Sequence, residues 1–164
     1  MKLPDDVASL AAETVAALKA AGITVATCES CTGGLIAGAL TSISGSSDVV
    51  YGGFVTYANE AKIAMVGVPY GLLKQFGAVS KEVAMAMADG AMGAAGTHMA
   101  VAVTGIAGPN GGTPEKPVGL VHFSVATENG TTHLKKVFSG MSRDEVRYAT
   151  VVQALKLVLK AAKA

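Results

Sequence analysis

Apolar positions recur along this chain with two periods, and the alternation between them sketches the fold. Val7, Leu10, Ala11, Thr14, Val15 and Leu18 fall three and four apart, the spacing of one helix face, and Gly22 supplies a stop. The pattern predicts helix to about Ala21, a strand over 23–28, and a second helix from about Cys31 to Ile43. Ser44-Gly-Ser-Ser-Asp48 is turn chemistry. Val49 to Ala58 is β-rich, while Asn59 to Val66 and Pro69 to Gly77 are expected to be short helices. Ser80 to Ala95 reads as an Ala- and Met-rich helix whose methionines fill core, and His98 to Thr104 as a buried strand. Val118 to Thr127 and Thr131 to Ser139 form two strands joined at Glu128-Asn-Gly130, a hairpin signal. The last helix opens on the capping box Ser142-Arg-Asp-Glu145. Alternating helices and strands with one antiparallel hairpin predict an α/β fold: a single-domain α/β/α sandwich with a mixed β-sheet over residues 1–164.

Composition narrows the function classes. Hydrophobic residues make up 51% and charged ones 15%, which favours a packed core over disorder. The formal net charge is +1 with no basic run, so direct nucleic-acid binding, which needs clustered Lys and Arg, is not expected. The most apolar region, Val83 to Gly108, is interrupted by Asp89 and His98, so no membrane span is expected. Met1 to Leu10 lacks a signal layout and two cysteines make no disulfide framework; a cytoplasmic protein is the expectation.

The densest chemistry lies in "TCESCTGG", Thr27 to Gly34, at a strand-to-helix turn. Cys28-Glu-Ser-Cys31 matches C-x-x-C, but no second pair completes a zinc site, and His98, His122 and His133 read as ordinary sheet residues. Ser30, placed in the first turn of the expected helix, is either a cap or a nucleophile whose neighbouring amides hold an oxyanion. Neither G-x-S-x-G nor S-x-x-K occurs. "GFVTYANEAK" sets Tyr57, Asn59, Glu60 and Lys62 where an extended run turns to helix, and "VTGIAGPNGG" can bring backbone amides to an anion. The chain's two arginines, Arg143 and Arg147, lie four apart at a helix start, as a phosphate fork or a surface pair with Asp144 and Glu145. These residues alone reach a small ligand, with or without a phosphate, and do not name a reaction.

Taken together, "ESCTGG" at 29–34, "GFVTYANEAK" at 53–62, "VTGIAGPNGG" at 103–112, "EKPVG" at 115–119, "FSG" at 138–140 and "RDEVR" at 143–147 resemble the CinA C-terminal domain family, the nicotinamide-nucleotide amidases. The match covers nearly the whole chain in order and looks like the stand-alone form, without the family's molybdopterin-type N-terminal domain. The resemblance implies hydrolysis of nicotinamide mononucleotide to nicotinate mononucleotide and ammonia, recycling pyridine nucleotides, with neither metal nor cofactor. It implies Ser30 as nucleophile, Lys62 as base and Tyr57 close to both. Thr104, Gly105, Gly108 and Arg147 would hold substrate, with Glu29, Cys31, Thr32, Gly33 and Asn59 also counted as binding residues. A homodimer or larger homo-oligomer is the expectation.

That mechanism sets conditions. A free lysine has a pKa of about 10.4, so poising Lys62 at about 7.5 takes roughly 4 kcal/mol. Burial or a positive neighbour must supply it, and neither Glu29 nor Glu60 is expected to touch the ammonium. The rival readings are a non-catalytic nucleotide-binding module, a competence- or DNA-repair-associated interaction protein, and an enzyme using Cys31 as nucleophile.

Overall fold

The computed structural model describes residues 2–164. Helix α1 (Asp5–Ala21) carries Asp5 and Asp6 in its first turn, where acids favour the helix dipole, and ends at Gly22 in the left-handed conformation. Strand β1 (Val25–Glu29) follows, buried at every position. It pairs in parallel with β2 (Val50–Val55) on one side and β3 (Met99–Gly105) on the other. A strand flanked in parallel and covered on both faces is buried throughout rather than alternating, and the polar Thr27 and Glu29 are buried with it. Antiparallel strands β4 (Leu120–Thr127) and β5 (Gly130–Val137) complete the sheet, in the order β2-β1-β3-β4-β5. The sheet is mixed, as expected.

Side chains of β3 divide the core. Met99, Val101 and Val103 pack with α1, with α2 (Leu35–Thr41) and with α6 (Arg143–Ala162). Ala100 and Ala102 face the other way, towards α3 (Asn59–Val66), α4 (Tyr70–Phe76) and α5 (Lys81–Ala95). The result is a three-layer α/β/α sandwich. On the second face the sheet offers mostly small residues, Ala26, Cys28, Ala100, Ala102 and Ala126, so α5 lies close upon it.

The main departure from expectation lies after β1. The strand begins at Val25 and runs on through Glu29, and the helix begins at Leu35 rather than Cys31. Gly33 and Gly34 adopt φ of 59° and 104°, a left-handed pair that holds residues 31–34 in turns. Ser30 therefore precedes the helix by a full turn instead of sitting in it. The hairpin strands are likewise shorter than their apolar runs, and His98 lies just ahead of β3.

The chain leaves β1 towards α2 on one face, and reaches β3 from α5 on the other. The carboxyl ends of β1 and β3 thus flank a topological switch point, the place where open α/β sheets form a crevice.

Candidate active site

Ser30 stands at the end of β1, its amide donating to Val103 O at 3.1 Å, which fastens the turn to the carboxyl end of β3. Directly before it, the Glu29 carboxylate is fully buried and accepts four bonds. These come from Thr32 Oγ1 (2.7 Å), Ile36 N (2.8 Å), Ala37 N (3.0 Å) and Thr27 Oγ1 (3.1 Å). A carboxylate spanning these amides meets both the unpaired donors and the positive end of α2. The helix N-terminus is therefore filled by Glu29 and does not face Ser30. Glu29, expected to touch substrate, is taken up within the fold, and Thr32 is fully buried beside it.

Lys62 comes from the first turn of α3 and is only 1% exposed. Its Nζ lies 3.1 Å from Ser30 Oγ, 2.7 Å from Thr56 O and 3.3 Å from Tyr57 O. The ion pairs among the described residues are Lys2–Asp5, Lys19–Asp48 and Lys163–Glu13, so no carboxylate, Glu29 and Glu60 included, pairs with it. Burial lowers its pKa below the ordinary lysine value. The neighbouring thiols would raise it only as thiolates. Burial pushes Cys28 up to about 11 and Cys31 up to about 12, so near neutral pH both stay protonated and uncharged. Nζ thus donates to three oxygens, the Ser30 hydroxyl and the two carbonyls, and once neutral it would turn its lone pair to the Ser30 hydroxyl.

These groups open into a cleft of about 210 Å³ at the switch point. Ser30 and Cys31 line it from the turn after β1, Thr104, Gly105 and Ala107 from the end of β3 and the loop beyond, Tyr57 from the β2–α3 connection, and Asn59 and Lys62 from the start of α3. Ala78 and Val79 close the side before α5, where Thr104 Oγ1 donates to Ala78 O at 2.9 Å. The amides of Cys31 and Thr32 donate to no backbone carbonyl among the described residues.

Of the two arginines, Arg143 rather than the expected Arg147 lines the cleft. Arg147 does not line the cleft; its Nε donates to Cys31 O (3.1 Å) and its guanidinium to Thr32 O (3.3 Å), clamping the Ser30 turn from behind. Gly33 lies against that guanidinium. Arg143 lines the mouth, donating to Gly108 O (2.7 Å) and Tyr57 Oη (3.3 Å). Gly108 thus meets the site through its carbonyl, outside the lining. Sequence reasoning weighed both arginines but counted only Arg147 as a binding residue. The missed signal was that the first residue of a helix projects past its end, whereas one a turn later lies along its side.

A larger groove, about 670 Å³, lies at the opposite end of the sheet between the end of α6 and the β4–β5 hairpin. It brings no nucleophile and base together; its Ser124 hydroxyl is spent on Thr132 O. His122 and His133 bond to each other at 2.8 Å, and burial, then His133, lowers His122 to about 4. The described residues hold no cluster of three or more His, Cys, Asp or Glu side chains fit for a metal, and no helix long and apolar enough to cross a membrane.

Fold and cleft together define a class: an α/β/α domain with a buried serine–lysine pair in its switch-point crevice. The CinA C-terminal domain family model matches residues 7–162, and the chain belongs to that family. A CinA-like protein of Geobacter metallireducens is 53% identical over 143 residues, covering 87% of this chain and 34% of that protein. A putative competence-damage inducible protein of Symbiobacterium thermophilum is 48% identical, covering 95% of this chain and 37% of that one. The chain thus spans about a third of the length of the curated relatives it matches. Among solved structures, the competence/damage inducible protein CihA of Agrobacterium tumefaciens superposes over the full length of both chains at 50% identity, with a TM-score of 0.95. A CinA superfamily protein of Escherichia coli does so at 32% identity and a TM-score of 0.91, covering 98% of this chain and 94% of that one.

Proposed function

We propose that this domain is an amidohydrolase acting on the carboxamide of nicotinamide mononucleotide, with Ser30 as nucleophile and Lys62 as general base. The observation that carries the reading is Lys62 itself, a buried amine 3.1 Å from a cleft-facing serine hydroxyl, with two carbonyls and no carboxylate around it. Structural lysines seldom forgo a counter-ion; a lysine that must shed its proton requires it.

Neutral Lys62 takes the Ser30 proton as Oγ attacks the carboxamide carbon, giving a tetrahedral oxyanion. The Cys31 and Thr32 amides, which have no backbone acceptors, would be its donors. Such a donor contributes on the order of 3 kcal/mol in other enzymes. Lys62 returns the proton to the departing nitrogen, ammonia leaves, and water attacks the acyl-serine by the same route in reverse. The substrate's pyridinium charge would lower the Lys62 pKa further. Arg143, whose guanidinium keeps its charge at any working pH, would receive the phosphate at the mouth while Tyr57 and Asn59 flank the ribose.

The test is ammonia release from nicotinamide mononucleotide without added metal. Wild type turns over; Ser30→Ala and Lys62→Ala each lose at least about a thousandfold in kcat, and the double variant loses little more, because the two act as a unit. Binding of the nucleotide with no ammonia from wild type would make the domain a nucleotide-binding module instead.

A further inference from the structure

At the end of α4 three consecutive carbonyls are each taken by a side chain. Phe76 O accepts from Lys116 Nζ (2.5 Å), Gly77 O from Ser80 Oγ (2.8 Å) and Ala78 O from Thr104 Oγ1 (2.9 Å). Ser80 caps α5 and Thr104 belongs to β3, so both are held by regular structure. Lys116 is not: it lies in the long loop between β3 and β4. It is half-buried and forms no ion pair among the described residues. Gly77 gives it room, since a Cβ there would stand 3.1 Å from Nζ. A lysine loses much rotamer freedom when tied down, and water offers an ammonium equally good partners. Stability alone is thus a weak reason to hold it on one carbonyl.

The Lys116 loop is itself fixed. At its base Ile106 N donates to Leu120 O (2.9 Å) and Gly119 N to Ile106 O (2.8 Å), with Ala107 next in the chain. Beside Lys116, its amide donates to Thr113 Oγ1 (3.0 Å) and Thr113 N donates to Lys116 O (2.8 Å). Lys116 therefore ties the loop that carries Ala107 to the segment that carries Ala78 and Val79. Those three supply the aliphatic side chains of the cleft, and all lie outside helix and strand. No backbone hydrogen bond joins the two segments among the described residues.

We propose that Lys116 is a positioning residue for the substrate's ring, holding these two aliphatic walls at the spacing of a flat heteroaromatic carboxamide. The proposal rests on the amidase reading for the identity of that ring. Dispersion contacts fade within a gap of about 0.5–1 Å, so a flat ring is gripped only between walls that do not drift.

The experiment is steady-state kinetics of Lys116→Met, which keeps the aliphatic stem and loses the ammonium. KM for nicotinamide mononucleotide should rise about tenfold while kcat stays within about threefold, the sign of lost binding rather than lost chemistry. The urea midpoint and the pH limb of kcat should hold. Calorimetry on Ser30→Ala and Ser30→Ala/Lys116→Met gives the second measurement, a Kd weakened about tenfold without turnover. That weakening in a domain that releases no ammonia would keep Lys116 in its role and sink the amidase. An unchanged Kd beside an active wild type would overturn Lys116 alone. A fall in kcat at constant KM, or a collapsed urea midpoint, would make Lys116 a servant of the fold and overturn the proposal as well. A wild type that neither binds nor hydrolyses the nucleotide overturns both.

Discussion

Lys62 meets Ser30 in a setting that disfavours the proton an amine carries in water. At neutral pH the folded chain therefore binds that proton less tightly than the unfolded one. Two consequences follow, both with definite sign. Between the lowered folded pKa and the ordinary value of about 10.4, the unfolded state holds more protons, so stability rises with pH across that window. Below the folded pKa the penalty is fully present, and above the ordinary value it is gone. Urea unfolding of wild type and Lys62→Met, compared at rising alkaline pH, should show wild type gaining on the variant. In parallel, kcat/KM for nicotinamide mononucleotide should climb through a single ionisation well below the ordinary lysine value. An activity limb at that ordinary value would count against Lys62 as base.

At the scale of elements, close packing is legible where it depends on the absence of a side chain. A Cβ on Gly90 of α5 would stand 1.8 Å from the Val66 carbonyl oxygen at the end of α3, whereas one on Gly93 meets nothing within 4 Å. Gly90→Ala should destabilise by about 2 kcal/mol, overpacking outweighing the helix preference of alanine. Gly93→Ala should stabilise by about 0.5–1 kcal/mol, so the urea midpoints move in opposite directions. The same local logic explains what the sequence revealed. The α3 boundaries, Asn59 to Val66, and the Ser142 capping box followed from short-range pattern, and both are seen. The α2 start was misplaced because "CTGGLIAGAL" is apolar enough to read as helix throughout, while the glycine pair and the Glu29 carboxylate decide where it begins. Ser30 and Lys62, thirty-two residues apart, carry no local motif linking them, so their pairing came from family resemblance and not from spacing.

For the whole molecule, the sheet divides one core into two layers, and each layer holds one thiol. Cys31 belongs with α1, α2 and α6, while Cys28 belongs with α3, α4 and α5. Burial pushes these thiols up to about 12 and about 11, so both resist alkylation in the native state. If the layers unfold as one body, iodoacetamide should label both cysteines with the same dependence on urea. Earlier labelling of Cys31 would show the α1–α2–α6 layer opening on its own. A Cys31→Ala variant that keeps wild-type ammonia release would dispose of Cys31 as the nucleophile.

The two arginines at the start of α6 bind carbonyls of residues 31, 32 and 108, reaching back across most of the chain. Because a ribosome releases the chain from its N-terminus, Ser30 and Lys62 emerge long before the residues that clamp their surroundings. A half-made domain thus carries the serine and the amine but not their fixed setting. The surroundings of the pair are therefore completed late in synthesis, when α6 docks.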